Sequence, residues 1–361
     1  MGGIALMAFA VWQRPAGTDD FRAFYRAAVL ASQHRNVYAD PSSDPDKNSA
    51  GTFLPYIRIP SYALMLRPLA TLPYAAARRV WIAAALLAFL ACVWIFPDGR
   101  NRIATALAFS FPVACTLVLG QDTGFVLLIA LASARIFAAG RDFAAGLAAS
   151  LIAIKITYLP AAGLVFLAKS RRGTLGFLTG VAVQLAVSFG VAGAGWPRRY
   201  LAVLGNPLLD SEPRRMLSVR AVAAGLALPP VVYVAAALAL YLGLWVASRR
   251  LSLPDALSLA LAVGVIASPH CYIYDAAMLI PLLVRVASPG SRAGLTALIG
   301  LTPLPYLALM TDTPELVLAG AAAVIAAVIA AGWGVYRIGD PPVTACSAVT
   351  GNFRRIGDNV I

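Results

Sequence analysis

Apolar residues occupy most of the chain in runs of roughly 15 to 25, separated by short polar turns. A helix of that length crosses the hydrocarbon core of a bilayer. The pattern predicts an all-α polytopic membrane protein with about twelve crossings, some of them short or broken. Residues 1–336 would form one transmembrane domain, and residues 337–361, rich in Gly, Pro and Ser, a disordered cytoplasmic tail. The predicted spans are residues 1–12, 79–96, 102–119, 123–139, 143–168 (two crossings), 173–194, 231–248, 253–268, 272–287, 293–309 and 315–335.

Basic residues in the turns assign an orientation to these spans. Lysine and arginine concentrate on the cytoplasmic side of membrane proteins, and basic clusters occur at residues 100–102, 135–141 and 169–172. All three can be cytoplasmic only if residues 143–168 cross the membrane twice. The stretch KITYLP supplies a break for such a hairpin, because it contains a proline. The prediction therefore places Lys155 at the outer tip of a hairpin and both termini in the cytoplasm.

Two long polar segments, residues 13–78 and 195–228, face the outside in this topology. The first contains two stretches, residues 21–35 and 60–73, in which apolar side chains recur at helical spacing between arginines. Such amphipathic helices can lie in the membrane interface. The opening run of residues 1–12 is too short to span a bilayer, so we expect the natural start to lie upstream.

The composition excludes several classes of protein. Hydrophobic residues make up 60% of the chain and charged residues only 12%, which excludes soluble, fibrous and nucleic-acid-binding proteins. The net charge of +13 instead indicates topology and contact with anionic lipid head groups. Four scattered cysteines and two histidines form neither a disulfide framework nor a metal-binding motif. We expect no metal site and no cofactor, while a requirement for a divalent metal stays open.

Adjacent carboxylates follow the first predicted span, where Asp19 and Asp20 precede the first amphipathic stretch. One interpretation is structural, since aspartate is favoured at a helix N-cap. The other is catalytic, because a carboxylate beside a lipid-lined cavity can act as a general base. Lys155 likewise has a structural and a functional interpretation. A lysine inside an apolar segment either extends its ammonium to the interface or binds an anionic ligand.

Five motifs, taken in order, resemble glycosyltransferase family 87 (GT87), whose members use polyprenyl-phosphate sugars and have the GT-C fold. Their order and their shared membrane face carry the resemblance, which extends to about residue 285. The motifs are TDDFRAFYRAA (18–28), FLPYIRIPSYALMLRPLATLP (53–73), GQDTGFVLLIAL (120–131), AAGLAASLIAIKITYLP (144–160) and SPHCYIYDAAMLIPLL (268–283).

The resemblance implies a GT-C-like bundle in the plasma (inner) membrane, with its active site facing the extracytoplasmic side. The implied reaction is an inverting transfer of a hexose or pentose from a polyprenyl-phosphate carrier to a lipid or glycan acceptor. The aspartate of the family's Asp-Phe pair falls on Asp20, with Asp19 as runner-up, and would deprotonate the acceptor hydroxyl. Lys155 is the first candidate to bind the donor phosphate. The expected partners are the donor, the acceptor and the bilayer, with no nucleic acid.

The remaining candidates are polar residues expected on the same outer face, each with a structural alternative as a cap, a turn or a solvated surface. Arg214 and Arg215 would add contacts to the donor phosphate. His270 and Asp275 would orient Asp20 or bind sugar hydroxyls. The family's loop motif reads YIRIP here in place of the commoner Tyr-Pro-Pro form. This departure bears on donor or acceptor specificity and leaves the fold assignment intact. Contacts with the sugar or the acceptor are expected from Tyr56, Arg58, Gln121, His270 and Asp275.

A transporter or lipid flippase of envelope biogenesis is the main alternative to an enzyme, because such proteins also contain intramembrane charges and broken helices. A transporter more often shows two related halves, and none are visible here. Polar residues instead crowd one face of the predicted bundle. A non-catalytic scaffold is a third possibility, favoured if Asp19 and Asp20 lie far from any outer cavity.

Overall fold

A computed structural model describes residues 20–39, 55–95, 100–205, 213–288 and 290–338. Within these ranges the regular structure is entirely helical and contains no β-strand, as the sequence predicts. The predicted span at residues 1–12 and the predicted tail beyond residue 338 lie outside the described residues.

The helices of the first half of the described chain are α1 (Phe21–Ser32), α2 (Pro60–Met65), α3 (Tyr74–Ile95), α4 (Arg100–Phe109), α5 (Phe111–Leu119), α6 (Thr123–Ala138), α7 (Asp142–Ser150), α8 (Leu159–Lys169) and α9 (Arg171–Ala192). Those of the second half are α10 (Trp196–Leu204), α11 (Val219–Gly225), α12 (Pro230–Ser248), α13 (Leu253–Ile266), α14 (Ile280–Val286), α15 (Arg292–Leu301), α16 (Leu304–Ala308) and α17 (Pro314–Ile338). Short 3-10 segments occur at Arg67–Thr71, Leu151–Tyr158, Pro213–Arg215 and Ile273–Leu279.

The expected count of about twelve crossings is not confirmed. By length and apolarity alone, five helical stretches of the described chain can cross a membrane, or six if the bent pair α5 and α6 is one span. One of the five is the combined stretch Asp142–Lys169, which contains α7 and α8. Several predicted spans are divided or short. Residues 102–119 are interrupted at Ser110, whose extended backbone ends one helix and whose side chain caps the next. Helix α13 has 14 residues, about 21 Å of rise against a hydrocarbon core of about 30 Å.

The predicted hairpin is present. Residues Asp142–Lys169 are long and apolar enough to pass as one span, yet the two ends of this stretch meet, since the Ser170 hydroxyl donates a hydrogen bond to Asp142 Oδ2 at 2.6 Å. A straight helix of this length would hold its ends about 40 Å apart. Helix α7 therefore leads to a tip and α8 returns from it, with Lys155 in a non-helical conformation (φ −119°, ψ 85°) between them. The membrane face of this tip stays a prediction.

Helix α9 then packs closely along α7. A Cβ atom added at Gly146 would lie 1.9 Å from the carbonyl oxygen of Gly173, and one added at Gly176 would lie 2.0 Å from that of Phe143. Only glycine permits backbones to approach this closely, and small residues drive helix packing in membranes in the same way. These contacts fix the hairpin against the bundle.

The two predicted amphipathic helices dock on protein. In α1 the apolar face is buried, with the Phe21 ring stacked on Trp81 at 5.3 Å and the Phe24 ring edge-on to Tyr62 at 5.9 Å. In α2, Pro60, Ser61, Tyr62 and Ala63 are buried. The periodicity identified the helices correctly, but their apolar faces meet the bundle because aromatic partners from neighbouring segments cover them.

Candidate active site

Three breaks in the bundle carry the polar side chains of the site. Helices α5 and α6 meet at residues 120–122, where their axes bend by 118°. Helices α7 and α8 meet at Lys155, and α13 gives way to the 3-10 segment Ile273–Leu279. Backbone that leaves a helix inside a membrane protein needs polar partners from neighbouring segments. Here the side chains at the three breaks contact one another.

Arg58 and Asp122 form a buried bidentate ion pair. Arg58 Nε donates to Asp122 Oδ2 at 2.7 Å, and Nη2 donates to Oδ1 at 3.1 Å. The Asp122 side chain is completely buried and that of Arg58 is 7% exposed. Burial by itself would lower the pKa of Arg58, but the Asp122 carboxylate outweighs burial and the pKa is raised. The arginine therefore stays charged, and its fork geometry matches the carboxylate.

Lys155 lies between two carboxylates. Its Nζ donates to Asp275 Oδ1 and, at 3.2 Å, to Thr123 Oγ1, and it lies 3.6 Å from Asp122 Oδ1. The Tyr274 ring faces the ammonium at 5.1 Å. Two of its three donors thus form hydrogen bonds, while Asp122 contributes a second negative charge at ion-pair distance. Lys155 therefore points into the bundle and does not extend to the membrane interface.

Asp20 stands at the half-buried end of this network. It precedes α1 in a helical conformation (φ −68°, ψ −20°) and makes no capping hydrogen bond through its side chain. The capping role, which the sequence favours for Asp19, falls on a residue outside the described ranges. Its carboxylate accepts a hydrogen bond from the Gln121 side-chain amide. Gln121 Oε1 accepts in turn from Arg58 Nη2 at 3.5 Å. The backbone N–H of Asp20 donates to the Leu119 carbonyl at 2.9 Å, which holds the start of α1 against the α5–α6 turn.

Together these contacts form one chain of polar groups that runs from Asp20 through Gln121, Arg58, Asp122 and Lys155 to Asp275. It contains three carboxylates and two cations, so one negative charge is in excess when all five are ionised. Such an arrangement can hold a carboxylate ready to accept a proton.

Arg214 and Arg215 lie in a separate surface pocket. Arg215 Nη2 pairs with Asp312 Oδ1 at 2.7 Å, and the Asp312 side chain is 97% exposed. The lining of this pocket of about 290 Å³ is completed by Pro213, Thr311, Pro314 and Val317. The lining of this pocket, as far as the described residues form it, does not include Lys155, so the expected grouping of these arginines with Lys155 stays a prediction.

Comparison with known proteins gives the chain its family. The model of glycosyltransferase family 87 matches residues 58–269, more than half of the chain. The chain belongs to glycosyltransferase family 87. No curated protein and no solved structure matches it at a significant level. Family membership makes this protein a membrane glycosyltransferase, which acts on a sugar donor and an acceptor, and it removes the support for a transporter or scaffold.

The matched part of this family 87 chain begins at Arg58 and includes Gln121, Asp122 and Lys155. Asp20 and Asp275 lie beyond its two ends. The five sequence-predicted residues that the structure brings together are Asp20, Arg58, Gln121, Lys155 and Asp275.

Two further predicted residues lie beside the network in this family 87 protein. Tyr56 is buried, and its phenol donates to the Ile59 carbonyl at 3.0 Å. Burial raises the pKa of Tyr56 well above 10.0, so the phenol stays a donor. The His270 ring packs edge-on against Tyr272 at 5.0 Å. Asp275 pairs with Lys155, and the Gln121 amide contacts Asp20. The roles expected for His270 and Asp275, in binding sugar hydroxyls or orienting Asp20, stay predictions.

The sequence favours a turn or N-cap role for Asp122, with a sugar contact as the alternative, and does not predict that Asp122 joins both cations of the network. A signal was available. Asp122, Lys155 and Asp275 are all charges at the ends or breaks of apolar segments, and buried charges require partners of opposite sign. Two acids and one lysine indicate a further cation, which the structure identifies as Arg58.

Asp19, the alternative to Asp20, lies outside the described residues. Among the described residues no group of three or more His, Cys, Asp or Glu side chains could hold a metal ion.

Proposed function

We propose that this family 87 enzyme transfers a hexose or pentose from a polyprenyl-phosphate carrier to a hydroxyl group of a lipid or glycan acceptor. In this proposal the enzyme lies in the plasma membrane, its site faces the extracytoplasmic side, and Asp20 is the general base. The observation that supports it most is the position of Asp20. Asp20 is the half-buried end of a polar network whose other members are buried in the bundle.

The proposed reaction is one inverting displacement. The Asp20 carboxylate takes the proton of the acceptor hydroxyl, and the acceptor oxygen forms a bond to the anomeric carbon. The bond between that carbon and the phosphate oxygen breaks on the opposite face, and the electron pair leaves with the polyprenyl phosphate. A single base is enough for such a step, in contrast to the paired carboxylates of glycosidases.

The departing phosphate requires positive charge, and Lys155 is the first candidate to supply it. Its ammonium already contacts Asp275 and Asp122. To bind the phosphate, the Lys155 ammonium must give up one of its present oxygen partners in favour of a phosphate oxygen. We expect it to give up Asp122 Oδ1 at 3.6 Å, because Asp122 keeps its bidentate bond to Arg58. Arg214 and Arg215 are proposed to contact the carrier phosphate from the separate surface pocket.

A donor panel tests this function. The purified protein in lipid nanodiscs is incubated with radiolabelled polyprenyl-phosphate sugars, with nucleotide sugars as comparison, and a membrane lipid extract as acceptor. We expect transfer from a polyprenyl-phosphate sugar only. Transfer from a nucleotide sugar would overturn the proposed donor class.

Asp20→Asn tests the base. The amide keeps the shape of the carboxylate and cannot accept the proton, so we expect transfer to fall by about 10²- to 10⁴-fold while thermal stability and donor binding persist. Asp19→Asn is the matched control and should retain activity. An active Asp20→Asn enzyme with an inactive Asp19→Asn enzyme would assign the base to Asp19. Activity in both variants would reject a carboxylate base at this position.

A further inference from the structure

Gln121 contacts the proposed base and a cation with the two ends of one amide. Nε2 donates to Asp20 Oδ2, and Oε1 accepts from Arg58 Nη2 at 3.5 Å. The two partners demand the same orientation, because a guanidinium only donates and an ionised carboxylate only accepts. The polarity of the amide is therefore fixed from both sides.

The surroundings of Gln121 hold it in this position. Its side chain is buried, and its backbone N–H donates to the Thr116 carbonyl at 2.9 Å. Arg58, on the oxygen side, is held by its two bonds to Asp122. A buried amide with a locked partner cannot rotate to offer its oxygen to Asp20 without leaving the guanidinium facing an NH₂ group.

We propose that Gln121 is a positioning residue that keeps the Asp20 carboxylate ionised and fixed in rotation for proton abstraction. This inference rests on the proposed function of Asp20 as base. A hydrogen bond donated to a carboxylate favours its charged form. Arg58 and Asp122 act through Gln121, since their ion pair sets which end of the amide meets Asp20.

Other charged or titratable groups, on α1 and on the elements packed against it, belong in the interpretation of any pH profile. The Tyr274 phenol of the segment Ile273–Leu279 interacts electrostatically with Asp20. Two of these groups, Arg22 and Arg26, lie on α1 itself. The neighbouring elements carry Tyr62 on α2 and Arg67 on the segment Arg67–Thr71. Arg78 is buried and lies on α3, one turn before Trp81. The Trp81 indole donates to the Gly120 carbonyl at 2.8 Å, so α3 also meets this turn. None of these groups changes in the variants below.

The test compares Gln121→Glu with Gln121→Leu in the full-length enzyme. Gln121→Glu replaces the N–H that faces Asp20 by a carboxylate oxygen of nearly the same shape. Like charges raise the pKa of a carboxylate, so the acid limb of the kcat/KM profile should move to higher pH by roughly one unit or more. Gln121→Leu removes the donor without adding charge, and it should move the limb in the same direction by less and lower kcat.

Gln184→Glu is the matched control. Gln184 Nε2 donates to the Ser150 carbonyl at 2.9 Å in the α7–α9 contact, so its substitution introduces a carboxylate into the bundle at a site with no bond to Asp20. This variant should leave the acid limb in place. A purely structural role of Gln121 would change thermal stability or the height of the profile and not the position of its acid limb.

The outcomes separate the two proposals. An unmoved acid limb in Gln121→Glu, combined with an inactive Asp20→Asn enzyme, would overturn the role of Gln121 and leave the base assignment standing. Activity in Asp20→Asn would instead reject the base itself. If Gln121→Glu does not fold, the test depends on the acid limb of the kcat/KM profile of Gln121→Leu. An acid limb at the wild-type pH in that variant would overturn the inference.

Discussion

Ser170 donates a hydrogen bond to the Asp142 carboxylate at 2.6 Å, although a stretch long and apolar enough to cross a membrane lies between them. This contact turns an apparent span into a hairpin and brings its tip to the polar network.

The hairpin predicts that the chain before α7 and the chain after α8 lie on the same side of the membrane. In a cysteine-free background, Ala139→Cys and Arg172→Cys provide exposed thiols at these two places. We expect a membrane-impermeant maleimide to label both from the cytoplasmic side, where basic residues concentrate. Labelling of the two thiols from opposite sides would show a single crossing.

Removal of the Lys155 charge should destabilise the fold, because Asp275 would stay buried without its cation. Breaking a buried pair costs about 3–5 kcal/mol, so Lys155→Met should clearly lower the thermal midpoint in detergent. Lys155→Met combined with Asp275→Asn should recover part of the loss, since the asparagine oxygen can still accept the Tyr272 N–H that Asp275 Oδ2 accepts now at 3.1 Å. If the stability lost in the double variant equals the sum of the losses in Lys155→Met and Asp275→Asn alone, the pairing of the two residues would be contradicted.

Gly120→Ala should lower both stability and kcat. Gly120 has φ +65°, and an added Cβ would lie 2.7 Å from Phe21 Cβ, so α1 and the adjacent Asp20 would have to move. Gly140→Ala is the matched control, with φ +72° and no atom within 4 Å of the added Cβ. Both variants carry the left-handed strain of about 1–2 kcal/mol. Only Gly120→Ala should reduce turnover, and equal kcat values would show that the position of α1 does not control the chemistry.

Substitution of the surface arginines tests a second contact with the carrier phosphate. Arg214→Gln together with Arg215→Gln should raise KM for the donor several-fold and leave kcat and thermal stability nearly unchanged, because an exposed ion pair contributes at most about 1 kcal/mol. The KM of the wild type should also rise with salt, since exposed charges are screened. Asp312→Asn, which removes only the partner of Arg215, should not raise KM. An unchanged KM in the double variant would remove the pocket from the donor site.

The local pattern of the chain was sufficient for the secondary structure and for the family. Runs of apolar residues predicted most helices near their observed bounds, because hydrophobic periodicity is a property of neighbouring residues. The motifs around Asp20, Gln121 and Lys155 indicated family 87. The break at Lys155 followed from charge parity and one proline.

Long-range packing decided the rest. No local signal shows that Lys155 meets Asp275, 120 positions away, or that Arg58 meets Asp122, 64 positions away. Those pairs depend on how three helix breaks meet inside the bundle. The same holds for α1. Its sequence is compatible with packing against lipid or against protein, and only the fold shows that Trp81 and Tyr62 cover its apolar face.

The sequence by itself thus determined a helical membrane glycosyltransferase of family 87 with a polar break at Lys155, since hydrophobicity, basic turns and motifs are encoded locally. Only the tertiary structure decided which charges neutralise one another, because the strength of a buried ion pair depends on distance and burial. It also decided that the Asp20 carboxylate contacts Gln121, since the fold brings the α5–α6 turn against the start of α1.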